Sequence, residues 1–184
     1  GSSIDPFFDD IKANSSYVFI LDQNAGDGTD TCWEDEDQWS RHSVVRIHST
    51  TSPYSQVALV NIKAADMIEI DAKYIYTVSC GNFYVYDYSD LNDIKEVGIV
   101  KEWWENEEPY EFTFFESFNG EIEKIDNYVY VARGGYYEWN HLGVNVIDVS
   151  DPTKPVHLAN IPGDMFSEDF RGGYDLPAKS VEMS

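Results

Sequence analysis

Residues 22–42 read DQNAGDGTDTCWEDEDQWSRH, which gathers Asp22, Asn24, Asp27 and Asp30, then Glu34 to Asp37, into one Gly- and Asp-rich stretch. Calcium is held by several oxygen ligands from flexible loops, so it is the cation this material suits, with Asp22, Asn24, Asp27 and Asp30 as candidate ligands. An EF-hand register counted from Asp22 is met by Asp22 and Asn24. It fails at Gly26 and Asp27, and Trp33 stands where the bidentate Glu belongs. The alternative is a solvated acidic loop without a cation.

The same stretch carries Trp33 and Trp39, and RGGYYEWNH at 133–141 carries Tyr136, Tyr137 and Trp139. Aromatic rings beside carboxylates are the material of carbohydrate or peptide sites, where flat faces bury apolar ligand surface and acids fix orientation. These five are the candidate ligand-binding residues. Residues 102–118, EWWENEEPYEFTFFESF, are similarly rich in rings. The competing reading is that such rings fill gaps in the fold.

No catalytic residue is singled out. His42, His48, His141 and His157 show no metal-binding spacing, no Gly-x-Ser-x-Gly elbow occurs, and neither cysteine has a nearby His in a recognisable motif. Paired carboxylates for glycoside hydrolysis are defined by distance in space rather than in sequence, so a glycan-acting hydrolase stands as an alternative. RGGY occurs at 133–136 and 171–174, where the glycines suit tight turns; no helix follows to bind a phosphate.

The elements that must position these residues are strands. Of 184 residues 42% are hydrophobic, enough for a folded core, and 13 Tyr, 10 Phe and 5 Trp favour pleated sheets. A net charge of -22 disfavours nucleic acid and anionic membranes as partners. No apolar run reaches membrane-spanning length. No signal-peptide pattern opens the chain, and GSS reads as a processed or cloning-derived start.

SYVFILD at 16–22, KYIYTVS at 73–79 and NYVYVAR at 127–133 are variants of one alternating strand. Ahead of Tyr17, Tyr74 and Tyr128, at the same offset, stand Ile11, Ile68 and Ile122. A second alternating run follows each: SVVRIHS, NFYVYDYSD and GVNVIDVSD. After a turn carrying Pro, Asp or Ser comes a third: QVALVNI, KEVGIVK and PVHLANI. Alternation bounded by turn residues marks strands, and four strands per unit of about 55–60 residues marks propeller blades. The expected fold is all-β, a β-propeller-type array of about three repeats, incomplete at both ends. The units are approximately 7–53, 54–93, 94–153 and a partial 154–184, with three, four, four and two strands. In this grouping the Ser-Asp-Pro turn passes from one blade to the next.

NVIDVSDPTKPVHLA with YVYVA before it resembles the LVIVD-repeat family of β-propellers, found largely in prokaryotic surface and secreted proteins. The second unit keeps YVYDYSD but has Leu91 where the third has Pro152; the first has only RIHSTTSP. The resemblance implies an extracellular or cell-surface location and is nearly silent on chemistry. In a propeller, loops joining the same pair of strands lie on one rim, which places 22–42 and 133–143 together. Cys32 and Cys80 fall near that rim in adjacent blades, so a disulfide between them is weighed against two free thiols; a disulfide agrees with an oxidising compartment.

The leading expectation is an extracellular or cell-surface scaffold for a protein or carbohydrate ligand. The alternatives are the hydrolase and a structural subunit that assembles through open blade edges with other copies of itself or with the rest of a longer chain.

Overall fold

The computed structural model describes residues 10–22, 42–51, 54–63, 65–79, 82–101, 121–133 and 143–162. All regular structure among them is β, in three four-stranded antiparallel sheets. Sheet 1 holds β1 (Asp10–Ala13), β2 (Tyr17–Asp22), β3 (His42–Ser49) and β4 (Gln56–Lys63). Sheet 2 holds β5 (Ala65–Ile70), β6 (Tyr74–Ser79), β7 (Asn82–Asp87) and β8 (Lys95–Val100). Sheet 3 holds β9 (Ile122–Ile125), β10 (Tyr128–Arg133), β11 (Gly143–Asp148) and β12 (Val156–Pro162). Strands neighbour one another in chain order within each sheet, the up-and-down arrangement of a propeller blade.

The grouping of strands differs from the expected one. Each third apolar run is the last strand of the sheet that precedes it: β4 pairs with β3 and β12 with β11. Residues 7–53 are therefore not a three-stranded unit, since β4 completes it. The Ser-Asp-Pro turn is a hairpin inside sheet 3, not a passage between blades. A short turn can only return the chain beside the strand it has left.

The repeat is visible in its turns. Asn14 Oδ1 accepts hydrogen bonds from Ser16 N and Tyr17 N, both at 2.9 Å, and Asp71 Oδ1 accepts from Lys73 N at 2.8 Å and Tyr74 N at 2.9 Å. In sheet 3 a two-residue turn replaces this loop, with Asp126 at φ 51°, a left-handed conformation that Asp tolerates. One residue beyond the third strand, Thr50, Tyr88 and Val149 donate to the carbonyls of Ser16, Lys73 and Asn127. The next turn begins with Asp87 or Asp148 capping the amide two residues on, at 2.8 Å in both, while Ser49 Oγ accepts from Thr51 N at 3.1 Å. The Ser89 hydroxyl and then its amide hold the Asp87 carboxyl below the usual carboxylate range, and the Ser150 amide and then its hydroxyl do the same for Asp148.

The outer strands share a second irregularity. In sheet 1, Ile47 pairs with Ala58 and His48 with Gln56, leaving Val57 as the extra residue of a bulge. In sheet 3, Val146 pairs with Ala159 and Ile147 with His157, leaving Leu158 extra at the equivalent place.

The chain divides into two compact units, Gly1–Cys80 with Tyr86–Glu96, and Gly81–Val85 with Val97–Ser184. In the first, alternation sends Phe19, Leu21, Val45 and Ile47 of sheet 1 to one face, the front, where all are fully buried. Ile11, Val18, Ile20 and Arg46 point to the other face, the back. The Phe19 ring meets the Tyr88 ring edge-on at 5.0 Å between centroids. In the second unit the burial is reversed: Val129, Val131, Ile147 and Val149 on the back of sheet 3 are buried. Sheet 2 buries consecutive residues, Ile75 to Val78 and Phe83 to Tyr86, hence both faces. Its rings are core material.

Candidate functional site

Only one candidate site residue lies among the described ones. Asp22 closes β2, and its Oδ2 accepts hydrogen bonds from Arg46 Nη2 at 3.1 Å and Nε at 3.4 Å. Register explains the pair: Asp22 faces Val44 across the ladder, so Arg46 is its diagonal neighbour on the back face. A carboxylate already partnered by a guanidinium is a poorer cation ligand than a free one, because the arginine charge repels the ion. Asn24, Asp27 and Asp30, the aromatic residues Trp33, Trp39, Tyr136, Tyr137 and Trp139, and Cys32 and Cys80 lie outside the described residues. Among the described residues no three His, Cys, Asp or Glu side chains converge as a metal site. Among them, too, no helix is long and apolar enough to cross a membrane.

The ends of the strands that carry the two aromatic loops are described, and those of sheet 1 are held by side-chain contacts. Both loops join the second strand of a sheet to its third: 23–41 in sheet 1 and 134–142 in sheet 3. The equivalent connection in sheet 2 is only 80–81. At the return of the first loop, Ser43 is buried; its Oγ accepts from Ala65 N at 3.0 Å and donates to Ala65 O at 3.3 Å, tying the start of β3 to β5. At the return of the second, Asn145 is 2% exposed and its Oδ1 lies 3.0 Å from His157 Nε2, while its amide nitrogen has no hydrogen-bond partner among the described residues.

A polar cluster that sequence reading did not identify joins the two sheets of the first unit. Asp71 Oδ2 accepts from the Tyr76 hydroxyl at 2.7 Å, the Tyr88 hydroxyl donates to the Asp71 carbonyl, and Asn14 Nδ2 donates to that same hydroxyl oxygen at 3.0 Å. At the inner edge, Lys12 Nζ stands 2.9 Å from Glu69 Oε2, and Asp10 Oδ2 accepts from Ile68 N at 3.0 Å. One signal was present in the sequence: an Asn or Asp three residues before Tyr17 and Tyr74. The partnership with Tyr88 was not readable, because Asn14 and Tyr88 are far apart along the chain.

Burial, then the Asp71 hydrogen bond and charge, raise the Tyr76 pKa well above the ordinary tyrosine value. Burial, then the Asp71 charge, push Tyr88 up to about 12, against the opposing Asn14 hydrogen bond. Both phenols are therefore donors at neutral pH. Because the folded values lie above the unfolded value of about 10, their contribution to stability is complete below pH 10 and is lost as pH rises toward 12 and beyond. An alkaline titration followed at the tyrosinate absorbance should show two late-ionising groups, with unfolding beginning above pH 10. Tyr88→Phe should remove one of them. Ionisation of all tyrosines near pH 10 with the fold intact would contradict this assignment.

No protein-family model, curated protein or solved structure matches this chain.

Proposed function

We propose that the chain is a propeller-type scaffold of the LVIVD kind, extracellular or on a cell surface, that recognises a protein or carbohydrate ligand through the loops 23–41 and 134–142. The observation that carries this reading is the choice of insertion point. Three equivalent connections leave three similar sheets. Two are long, 23–41 with Trp33, Trp39 and six acids and 134–142 with Tyr136, Tyr137 and Trp139 beside Glu138, while the third, 80–81, is minimal. Rigid strands clamped by Asp22–Arg46 and by Ser43–Ala65 support such loops, the usual division between scaffold and recognition surface. Trp33, Trp39, Tyr136, Tyr137 and Trp139 supply the stacking faces, and Asn24, Asp27 and Asp30 add polar or calcium-binding capacity. A Cys32–Cys80 disulfide would tether the longer loop in an oxidising compartment.

The test is a glycan array and a capture assay on immobilised extracellular proteins, with and without calcium. A Trp33→Ala/Trp39→Ala pair and a Tyr137→Ala/Trp139→Ala pair should each weaken the wild-type hit at least tenfold without moving the thermal midpoint. Binding unchanged in both variants would overturn the assignment. Release of reducing sugar from any bound glycan would select the hydrolase instead.

A further inference from the structure

The repeat isoleucine occupies one place in all three sheets, on the back face of the innermost strand, yet it is covered in only two of them. Ile68 is 0% exposed and Ile122 1%, whereas Ile11 is 55% exposed. Their partners are equivalent as well: Ile11 pairs with Ile20, Ile68 with Thr77 and Ile122 with Val131. The next residue in the same row of sheet 1 is Arg46, followed by the exposed Leu59. Among the described residues the back of sheet 1 thus leaves open, at Ile11, an apolar position that its two equivalents bury, with the exposed Leu59 further along the same row beyond Arg46.

The front of sheet 3 is open in the complementary sense around Tyr130 and Val146, while Ala132 and Val144 on the same face are buried. Tyr130 and Val146 are half-exposed, although Phe19, Tyr76, Ile47 and Val85 at the same repeat positions are fully buried. Val156, paired with Asp148 on that face, and the bulge residue Leu158 are each 53% exposed. The rule by which these sheets stack is set within the first unit. There Phe19, on the front of sheet 1, packs on Tyr88, which alternation puts on the back of sheet 2. An open front and an open back are the two halves of one such contact.

Charge selects the occupant. On a chain of net charge -22, the described ionisable groups on the open back are Asp22 and Arg46, which cancel, and His48. The open front carries Glu121, Glu123 and Asp148. Two fronts would repel, whereas a front meets no net negative charge on a back.

We propose that a second copy of this chain docks head-to-tail, the front of its sheet 3 on the back of sheet 1 around Ile11, Ile20 and Leu59. This association is independent of the ligand recognition proposed above. The contact is heterologous, so each copy keeps one unused face.

Sedimentation velocity on the full chain over a wide concentration range tests it, in about 0.3 M salt, where the overall repulsion is screened to within several Å. The wild type should reach at least twice its 21.1 kDa chain mass as concentration rises. Ile11→Glu, which breaks only the back, and Val156→Glu, which breaks only the front, should each remain monomeric with unchanged circular dichroism. Leu59→Glu serves as an independent back-face variant. An equimolar mixture of Ile11→Glu and Val156→Glu should form a dimer that grows no further, because one good front and one good back remain. Wild type that stays monomeric at the highest concentration would overturn the proposal. So would association in the wild type with none in the mixture, since that would mean a symmetric contact.

Discussion

Phe19→Ala should destabilise the first unit by about 3–5 kcal/mol, the cost of removing a fully buried phenyl ring from a site that cannot collapse. The ring is the front-face residue of β2 that meets Tyr88, and Tyr88 is itself fixed by hydrogen bonds to Asn14 and to the Asp71 carbonyl. A neighbour so held cannot move into the void. In a chain of this length each kcal/mol moves the thermal midpoint by roughly 2–4 °C, so a drop on the order of 10 °C is expected by calorimetry. Phe19→Leu should recover most of the loss, and Phe19→Ala combined with Tyr88→Ala should cost less than the sum of the two single changes. Additive effects would mean that the two rings do not support each other.

Gly98→Ala should cost about 2–3 kcal/mol, a large effect for one added methyl. Gly98 lies on β8, and a Cβ there would stand 2.1 Å from the Pro152 carbonyl oxygen and 2.9 Å from Pro155 Cδ. The nearest obstacle is backbone, in the β11–β12 turn. That turn is fixed by Asp151, whose Oδ1 accepts from Thr153 N at 3.1 Å and from Thr153 Oγ1 at 2.7 Å, so it has little room to yield. Urea unfolding should show a lower midpoint, and hydrogen exchange should quicken at β8 and the turn. An unchanged midpoint would show that the turn gives way freely.

Most strands were legible in the sequence, for a local reason. Tyr17–Asp22, Tyr74–Ser79 and Tyr128–Arg133 carry β-branched and aromatic side chains in alternation, and that pattern is a property of each segment alone. Which strand belongs to which sheet was less legible. The strong turn chemistry of Ser-Asp-Pro and its counterparts lies inside the sheets. Sheet 1 gives way to sheet 2 between Lys63 and Ala65, with no Gly, Pro or Asp to mark the change. Breaks placed at conspicuous turns therefore fell one strand early.

The candidate site was legible only as composition. Runs of Asp, Trp and Tyr announce a surface rich in carboxylates and rings, but pairwise geometry is absent from a list of residues. The Asn14, Asp71, Tyr76 and Tyr88 cluster makes the same point from the other side. Its members are common residues with no motif among them, and only the stacking of two sheets brings them together.

The bulges at Val57 and Leu158 bear on how such a chain avoids fibrous aggregation. An outermost strand offers unpaired amides and carbonyls to any other chain, the usual template for cross-β growth. An extra residue at the same place in β4 and β12 breaks the repeat of those groups and increases the local twist, so a straight incoming strand cannot stay in register. Apolar side chains can therefore remain exposed along these rims with less risk of templating fibrils than a flat edge of the same composition would carry.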